Sequence, residues 1–597
     1  EVSMSMNKEG SKQWKKITGD NQPKPDQNIP GRSIAIVLDG YVYSYPTVQN
    51  EISGGRSSIS GQFTIAEAKD LANILKSGKL PAPAEIVEEA IVGPALGKEA
   101  ISSGLTSFIF ALLIVLFYMI FYYNRAGVVS NVALLANIFF IFGTIVSIGT
   151  VLTLPGIAGI ILTIGMSVDA NVLIYERIRE ELTNGKGIRL AISDGYDSAY
   201  SSIIDANVTT LLTGIILYTF GTGPIKGFAA TLVIGIITSL FAAIFITRLI
   251  ISWRLNKGKK MTFSSKLTKG AFKNININFI GLRKRFYILS LIVIILGLGT
   301  IFTKGLQLGI DFNGGRNFIL RFDDSLDLKN LKPNLNEDIR KALSSVFIDS
   351  TGLKYPPQVK TFGDDNQVKI STSYMIKSKD HKAATVIVEN KLNEGLSVIS
   401  LEDKSISYQI MSKERVGATI ADDFASSAIK SIIFSLLVIF MYILLRFRKW
   451  QFSLGAVAAV FHDVIIVLSI FSVFYGILPF SLEIDQAFIA AILTIIGYSL
   501  NDTVVVFDRV REYISLNKKK KIKEYMNSAL NSTLSRTINT SLTTFFVLLI
   551  IFIFGGEVIR GFMFALMVGV IVGTYSSLFI AAPIMLDSMR EKEDNKK

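Results

Sequence analysis

The sequence predicts a polytopic α-helical membrane protein, built as two parallel pseudo-repeats with α/β, ferredoxin-like domains on the extracytoplasmic side. Three observations predict it. Half of the 597 residues are hydrophobic, the mean hydropathy is +0.44, and eleven apolar runs are each long enough, with their flanks, to cross a hydrocarbon core of roughly 30 Å. The two membrane blocks repeat one another in sequence. The span-free stretch 305–425 reads β-α-β-β-α-β, the ferredoxin-like order.

Residues 1–103 read as the C-terminal remainder of a first soluble domain. Ser33–Leu38 and Tyr41–Tyr45 flank Asp39-Gly40, a hairpin signal, and Thr64-Ile-Ala-Glu67 is a capping box opening a helix to about Gly78. Pro81 and Pro83 mark a linker. The chain opens on Glu1 with no signal peptide, so a soluble domain lying across a membrane calls for an upstream anchor, and a twelfth span is expected ahead of it. Spans at about 104–123, 128–152, 156–175, 206–222 and 227–250 form a first block, 104–250. A basic linker, 251–285, leads to a span at 286–304. In the second soluble domain, 305–427, strands fit 317–323, 357–363, 366–373 and 404–412, and helices fit 335–346 and 380–396. The last block, 428–587, holds spans at about 428–446, 452–476, 485–507, 538–555 and 560–586, and 588–597 is a cytoplasmic tail.

The net charge of +14 does not point to nucleic acid, because the basic residues gather in short segments beside the spans. Arg248–Arg285 holds 11 Lys or Arg and no Asp or Glu, and Lys518–Lys521 forms a second cluster. Connections on the other side, near 153–155, 221–226, 477–484 and 556–559, carry Lys226 as their one basic residue. This asymmetry places both soluble domains outside. The chain has no cysteine and only His381 and His462 as imidazoles, which argues against disulfide, thiolate and zinc chemistry. Gly309-Ile-Asp-Phe-Asn-Gly-Gly315 is glycine-rich but lacks a Walker lysine, and no catalytic constellation is found, so no enzyme and no organic cofactor are expected.

Gly165-Met-Ser-Val-Asp-Ala-Asn-Val-Leu-Ile-Tyr-Glu-Arg-Ile-Arg-Glu180 aligns with Gly497-Tyr-Ser-Leu-Asn-Asp-Thr-Val-Val-Val-Phe-Asp-Arg-Val-Arg-Glu512. Thr209-Thr210 matches Thr543-Thr544, and Ile225-Lys-Gly-Phe228 matches Ile559-Arg-Gly-Phe562. Both copies run the same way, so the repeat is parallel. A carboxylate within a span costs about 2.5–3.5 kcal/mol on insertion scales, so it is kept for a reason. Asp169 lies eight residues before Arg177, about 12 Å from that boundary, and Asp502 sits at nearly the same depth before Arg509. Asp169 aligns with Asn501, so the acid has shifted by one position between copies. Both acids read as a protonatable or cation-binding pair, with a hydrogen-bond anchor between helices as the bland alternative. Arg536 is placed to hold a carboxylate ionised, or to snorkel to headgroups. Asn171, Asp205, Asn207, Asp463, Asn501, Asn539 and Thr543 read as a polar pathway beside them. The Glu176-Arg177 and Asp508-Arg509 pairs read as solvated helix ends, and the basic linker as a segment near anionic lipid.

These residues resemble a known family. The Gly165 motif, with Gly93-Pro-Ala-Leu-Gly97 and Gly221-Thr-Gly-Pro-Ile-Lys-Gly227, is similar to SecD. The Gly309 and Gly497 motifs, with His462-Asp463-Val464, are similar to SecF. The resemblance covers nearly the whole chain in SecD-then-SecF order, as in fused SecDF of the resistance–nodulation–division superfamily. It implies twelve spans when complete, residence in the bacterial cytoplasmic (inner) membrane, and partnership with the SecYEG channel, SecA, YajC and unfolded preproteins. It also implies coupling to H+ or Na+ through Asp169, Asp502 and Arg536. The substrate-contacting head of the first outer domain is expected upstream of Glu1. An ion-driven exporter of small molecules or lipids, and a non-conducting translocon scaffold, are the alternatives.

Overall fold

The computed structural model describes residues 1–597 except 39–40, 62, 78–85, 87, 151, 272–274, 323–334, 379, 399, 402–403, 406, 517–521 and 590–597. The Asp39-Gly40 turn, the Pro81–Pro83 linker, Lys518–Lys521 and most of the 588–597 tail lie outside the described residues. Glu1–Ile86 and Val87–Lys597 are two separate compact units.

The first unit holds strands β1 (Val2–Ser5), β2 (Ile36–Leu38), β3 (Tyr41–Ser44) and β4 (Arg56–Ile59), with helices Lys8–Asn21 and Ile65–Ser77. β2 and β3 pair antiparallel as expected, β1 pairs with β4, and Val2, Ile59 and Leu71 close a small core. The capping box forms. The Thr64 amide donates to Glu67 at 2.8 Å, and the Glu67 amide donates back to Thr64 Oγ1 at 3.3 Å.

In the second unit, eleven described helices are long and apolar enough to cross a membrane. In order they are Pro94–Tyr123, Arg125–Ile148, Leu154–Thr183, Ile188–Phe220, Gly223–Asn256, Phe279–Lys304, Ala418–Phe447, Trp450–Phe474, Gln486–Ser515, Ile522–Phe554 and Glu557–Met589. Each expected run falls on one of them. The fourth and tenth begin well before the runs at 206–222 and 538–555, because hydropathy marks only the lipid-compatible part of a helix.

The sheet domain contains β5 (Glu88–Val92), β6 (Gly315–Phe322), β7 (Gln358–Phe362), β8 (Asp364–Thr372), a short hairpin of β9 (Ser400–Leu401) and β10 (Lys404–Ser405), and β11 (Tyr408–Val416). Helices Leu335–Val346 and His381–Ser397 cover it, and Phe318, Leu320, Ile339, Leu343, Val388 and Leu392 fill the layer between. The order β11-β6-β8-β7 is the ferredoxin-like arrangement. Two expectations are corrected. The last strand runs to Val416 rather than ending near 412, past a bulge between Ile410 and Ser412, and Gly417 passes it directly into the seventh span. Residues 88–92 do not belong to the first soluble domain: β5 adds a fifth, edge strand to this sheet by pairing with β11. The Gly93 amide donates to Met411 O at 2.8 Å, and a side chain at Gly93 would meet that oxygen, so glycine lets β5 turn into the first span. Gly314 has φ +68° where the motif turns into β6, a conformation that favours glycine.

The duplication is visible in packing. The third and ninth spans are the central helices, with 83% and 89% of their most apolar windows buried, against 11% for the sixth. The third packs on the tenth and the ninth on the fourth, each across the boundary between halves. Gly165 and Gly497 stand at these crossings, facing Thr544 and Thr210. π-helical turns at Ala242–Ile246 and Ser577–Ala581 fall at matching points of the fifth and eleventh spans. The basic linker is more than a charged tether. Met261 and Phe263 are buried, and Thr268 donates to Tyr122 O at 2.7 Å, so it packs against the membrane helices.

Candidate functional site

The third span is interrupted at Val168, where helix Leu154–Ser167 gives way to helix Asp169–Thr183. Asp169 thus opens a helical segment in mid-span. The ninth span runs on without a break and presents Asn501 and Asp502 at the matching depth. Arg536 comes from the tenth span and reaches both acids. Its Nη1 donates to Asp502 Oδ1 at 3.2 Å, and its Nη2 donates to Asp169 Oδ1 at 3.1 Å and Asn501 Oδ1 at 3.4 Å. Asn501 Nδ2 donates to Asp169 Oδ2 at 2.5 Å, and Ser541 Oγ donates to Asp502 Oδ2 at 3.3 Å. Asp169, Asp502 and Arg536 are only 9%, 2% and 3% exposed. The structure therefore brings the three residues singled out from sequence into one buried cluster drawn from both halves.

With both carboxylates ionised, the cluster carries two negative charges and one positive. A buried net charge is costly, and uptake of one monovalent cation removes it. Neutralising either aspartate leaves the guanidinium with one charged partner, so occupancy decides which half holds Arg536. The planar fork of arginine suits this two-sided grip better than the point charge of a lysine.

The other expected pathway residues divide. Asn539 Oδ1 accepts from Tyr118 at 2.5 Å, and its Nδ2 lies 3.5 Å from Ser535 Oγ, which donates to Glu176 at 3.0 Å. These form a polar line beside Arg536. Asn171 is buried, and its Oδ1 has no hydrogen-bond partner among the described residues. Asp205, Asn207, Asp463 and Thr543, expected in the same pathway, direct their hydrogen bonds elsewhere. Asn207 and Thr543 bond back to Ile203 O and Thr540 O on their own helices. Asp205 is tied to the seventh span, accepting from Arg446 Nε at 2.5 Å and from the Tyr442 hydroxyl at 3.0 Å. Asp463 is fully buried between His462 Nδ1 at 2.9 Å, Ser499 Oγ at 2.6 Å and Ser576 Oγ at 2.8 Å.

The sequence reading missed one constellation. Arg177 and Arg509 are not solvated helix ends. Arg177 bridges to Glu512 at 2.7 Å across the interface, and Arg509 pairs with Glu180 in the reciprocal contact. Each arginine also bridges the glutamate three residues on in its own helix, Arg177 to Glu180 at 3.1 Å and Arg509 to Glu512 at 2.8 Å. The signal was present in the aligned Arg-Ile-Arg-Glu180 and Arg-Val-Arg-Glu512, which a pseudo-two-fold axis turns toward each other.

Comparison with known proteins places this geometry. A family model described as protein export membrane protein SecD/SecF, C-terminal, matches twice, at residues 74–257 and 398–591, which is the duplication. A SecD/SecF GG motif model matches residues 299–325. A model for the SecDF P1 head subdomain matches residues 1–82, correcting the expectation that the head lies outside this chain. The chain is 35% identical over 559 residues to the protein translocase subunit SecDF of Brucella abortus, covering 93% of this chain and 69% of that protein. It is 33% identical to SecDF of Thermus thermophilus, covering 98% and 74%. A crystal structure of SecDF from Thermus thermophilus, described as a translocon-associated membrane protein, superposes with a TM-score of 0.76 at 32% identity, covering 98% of this chain and 75% of that one. The chain belongs to the SecD/SecF family of protein export membrane proteins, in the fused SecDF arrangement.

Proposed function

We propose that this chain is an accessory subunit of the Sec translocon that uses a proton or sodium gradient to promote preprotein translocation and release on the outer side of the bacterial cytoplasmic membrane. The observation that carries the coupling is Arg536 shared between Asp169 and Asp502, one from each half. In the cycle, a cation entering from outside neutralises one of the aspartates and loosens its grip on Arg536. The halves then rearrange, and release of the cation toward the cytoplasm resets them. The sheet domain moves with the spans because β5 continues into the first and β11 into the seventh. One charge crossing the membrane supplies about 2.3 kcal/mol per 100 mV, so several cations are needed per long substrate segment.

The basic segments support a topology with the soluble domains outside. The partners are the SecYEG channel, SecA and YajC, with unfolded preprotein as substrate. Export into membrane vesicles, with the proton and sodium gradients collapsed separately, tests the reading and names the ion. Asp502→Asn is expected to abolish the gradient-dependent part of export while insertion stays normal. Wild-type export by that variant overturns the assignment.

A further inference from the structure

We propose that Arg177, Glu180, Arg509 and Glu512 form the inner gate of the ion pathway, the contact that must part for a cation held at Asp169 and Asp502 to leave at the end away from the sheet domain. The inference rests on the ion-coupled reading above and adds the exit to it. It begins with placement. Arg177 is eight residues beyond Asp169 and Arg509 seven beyond Asp502, so the four-residue ring lies about 11–12 Å further along the same two helices. The tenth span joins the two levels. Arg536 contacts the acids, and Ser532, one helical turn away, accepts from Arg509 Nε at 3.0 Å. The tenth span thus carries a polar side chain at each level, Arg536 at the acids and Ser532 at the ring.

Burial supports a closure rather than a solvated end. The Arg509 and Arg177 side chains are 6% and 15% exposed, while Glu180 and Glu512 are 38% and 37% exposed. The arginines plug the interface, and the glutamates face its outer rim. Fixed positive charge in a narrow exit repels a passing cation, so a closed ring blocks leakage.

The ring is also built to open cheaply. Two of its bridges cross between halves, Arg177–Glu512 and Arg509–Glu180. The other two, Arg177–Glu180 and Arg509–Glu512, lie within single helices. If the halves part, only the crossing pair breaks, and each arginine keeps a carboxylate partner. Both states are therefore satisfied, as a two-state element requires.

The test uses the full chain in proteoliposomes, with ion uptake read by an entrapped pH- or sodium-sensitive dye. The chain has no native cysteine, so Arg177→Cys with Glu512→Cys supplies the only two thiols. Closing them with a reducible bifunctional thiol reagent is expected to lower ion flux at least tenfold, and reductant is expected to restore it. Arg177→Gln with Arg509→Gln, which removes both the bridges and the fixed positive charge, is expected to raise flux severalfold, and adding Asp502→Asn is expected to remove that rise. Unchanged flux in the tethered protein, alongside wild-type flux that depends on Asp502, overturns the gate and leaves the coupling cluster standing. Absence of any Asp502-dependent flux in the wild-type protein overturns both.

Discussion

Ser499 and Asp502, one turn apart on the ninth span, are held by two different helices: Ser499 donates to Asp463 of the eighth at 2.6 Å, and Asp502 accepts from Arg536 of the tenth at 3.2 Å. The eighth span fixes the helix that presents the acid, and the tenth reads the charge on it. Asp463 is itself fixed by His462, whose Nε2 lies 3.0 Å from Ser290 of the sixth span, and by Ser576 at the π-helical turn of the eleventh. Asp463 therefore holds the ninth span behind the Asp169–Asp502–Arg536 cluster.

Removing the Ser499 hydroxyl leaves Asp463 short of one donor in a dry site, which costs about 1–3 kcal/mol. Ser499→Ala is expected to lower the unfolding free energy by that much while gradient-dependent export falls only in part. Ser499→Thr, which keeps the hydroxyl, is expected to restore both. Equal losses in the Ala and Thr variants would show that packing, and not the Asp463 contact, matters there.

Arg536 is the sole cation hydrogen-bonded to Asp169 and Asp502 among the described residues. Arg536→Ala leaves two buried carboxylates without it, a loss of about 3–5 kcal/mol. The triple variant with Asp169→Asn and Asp502→Asn removes the uncompensated charge, and is expected to recover most of the stability and none of the coupling. Arg536→Lys is expected to fold near normally and still fail in gradient-dependent export, because an ammonium cannot span both acids. Unfolding curves in detergent and vesicle export separate the two effects.

The glycines at the crossings make a steric prediction. A methyl group at Gly497 would lie 2.4 Å from Thr213 Oγ1, while one at Gly165 would meet nothing closer than Thr544 Cα at 3.2 Å. Gly497→Ala is expected to destabilise more than Gly165→Ala, within the roughly 1–3 kcal/mol typical of overpacking. Adding Thr213→Ala removes the clashing atom and is expected to return part of the loss. No gain from the second substitution in unfolding measurements would place the strain on the fourth-span backbone instead.

Much of this fold was legible because each signal was local. Apolar runs showed the spans, Thr64 and Glu67 showed a helix start, and the repeated Gly165 and Gly497 motifs aligned Asp169 with Asn501. The Asp169–Asp502–Arg536 cluster was legible because a carboxylate inside a span is costly and persists only where it has a partner or a task. What stayed hidden depended on contacts between distant segments. Nothing near Glu88–Val92 announces that it pairs with Tyr408–Val416, since an edge strand takes its partner from the fold. Arg177 and Arg509 read as helix ends because a charge near a membrane boundary is usually solvated, and only the pseudo-symmetric packing buries them against each other. Asp205 and Asp463 read as polar-pathway residues beside Asp169 and Asp502, and only the structure shows their partners, Arg446 on one side and His462 with two serines on the other.

The joint between the sheet domain and the ninth span gives a pH prediction. The Gly309–Gly315 motif is stitched to the start of that span: the Gly309 amide donates to Ile484 O at 2.8 Å, and Asp311 Oδ2 accepts from the Gln486 amide at 2.9 Å. Burial, helped by neighbouring Asp485, pushes the Asp311 carboxyl up to about 7. Close by, burial opposes the charge on Glu483, but Lys369 at 2.7 Å and Lys360 at 2.9 Å outweigh it and hold that carboxyl at about 2. Of the other charged neighbours of Asp311, Glu414 adds to the rise and Lys369 opposes it. A carboxyl whose folded value is raised binds its proton more tightly in the native state. Its stabilising contribution is complete below its unfolded value, about 4, and is lost as pH rises through about 7. Glu483 acts in the opposite sense and only below its unfolded value of about 4.5, so the two windows do not overlap. The unfolding midpoint of the full chain is therefore expected to fall between pH 5 and pH 8, and Asp311→Asn is expected to flatten that slope. An unchanged slope in Asp311→Asn would mean that another group titrates, and that the joint is fixed by its backbone bonds alone.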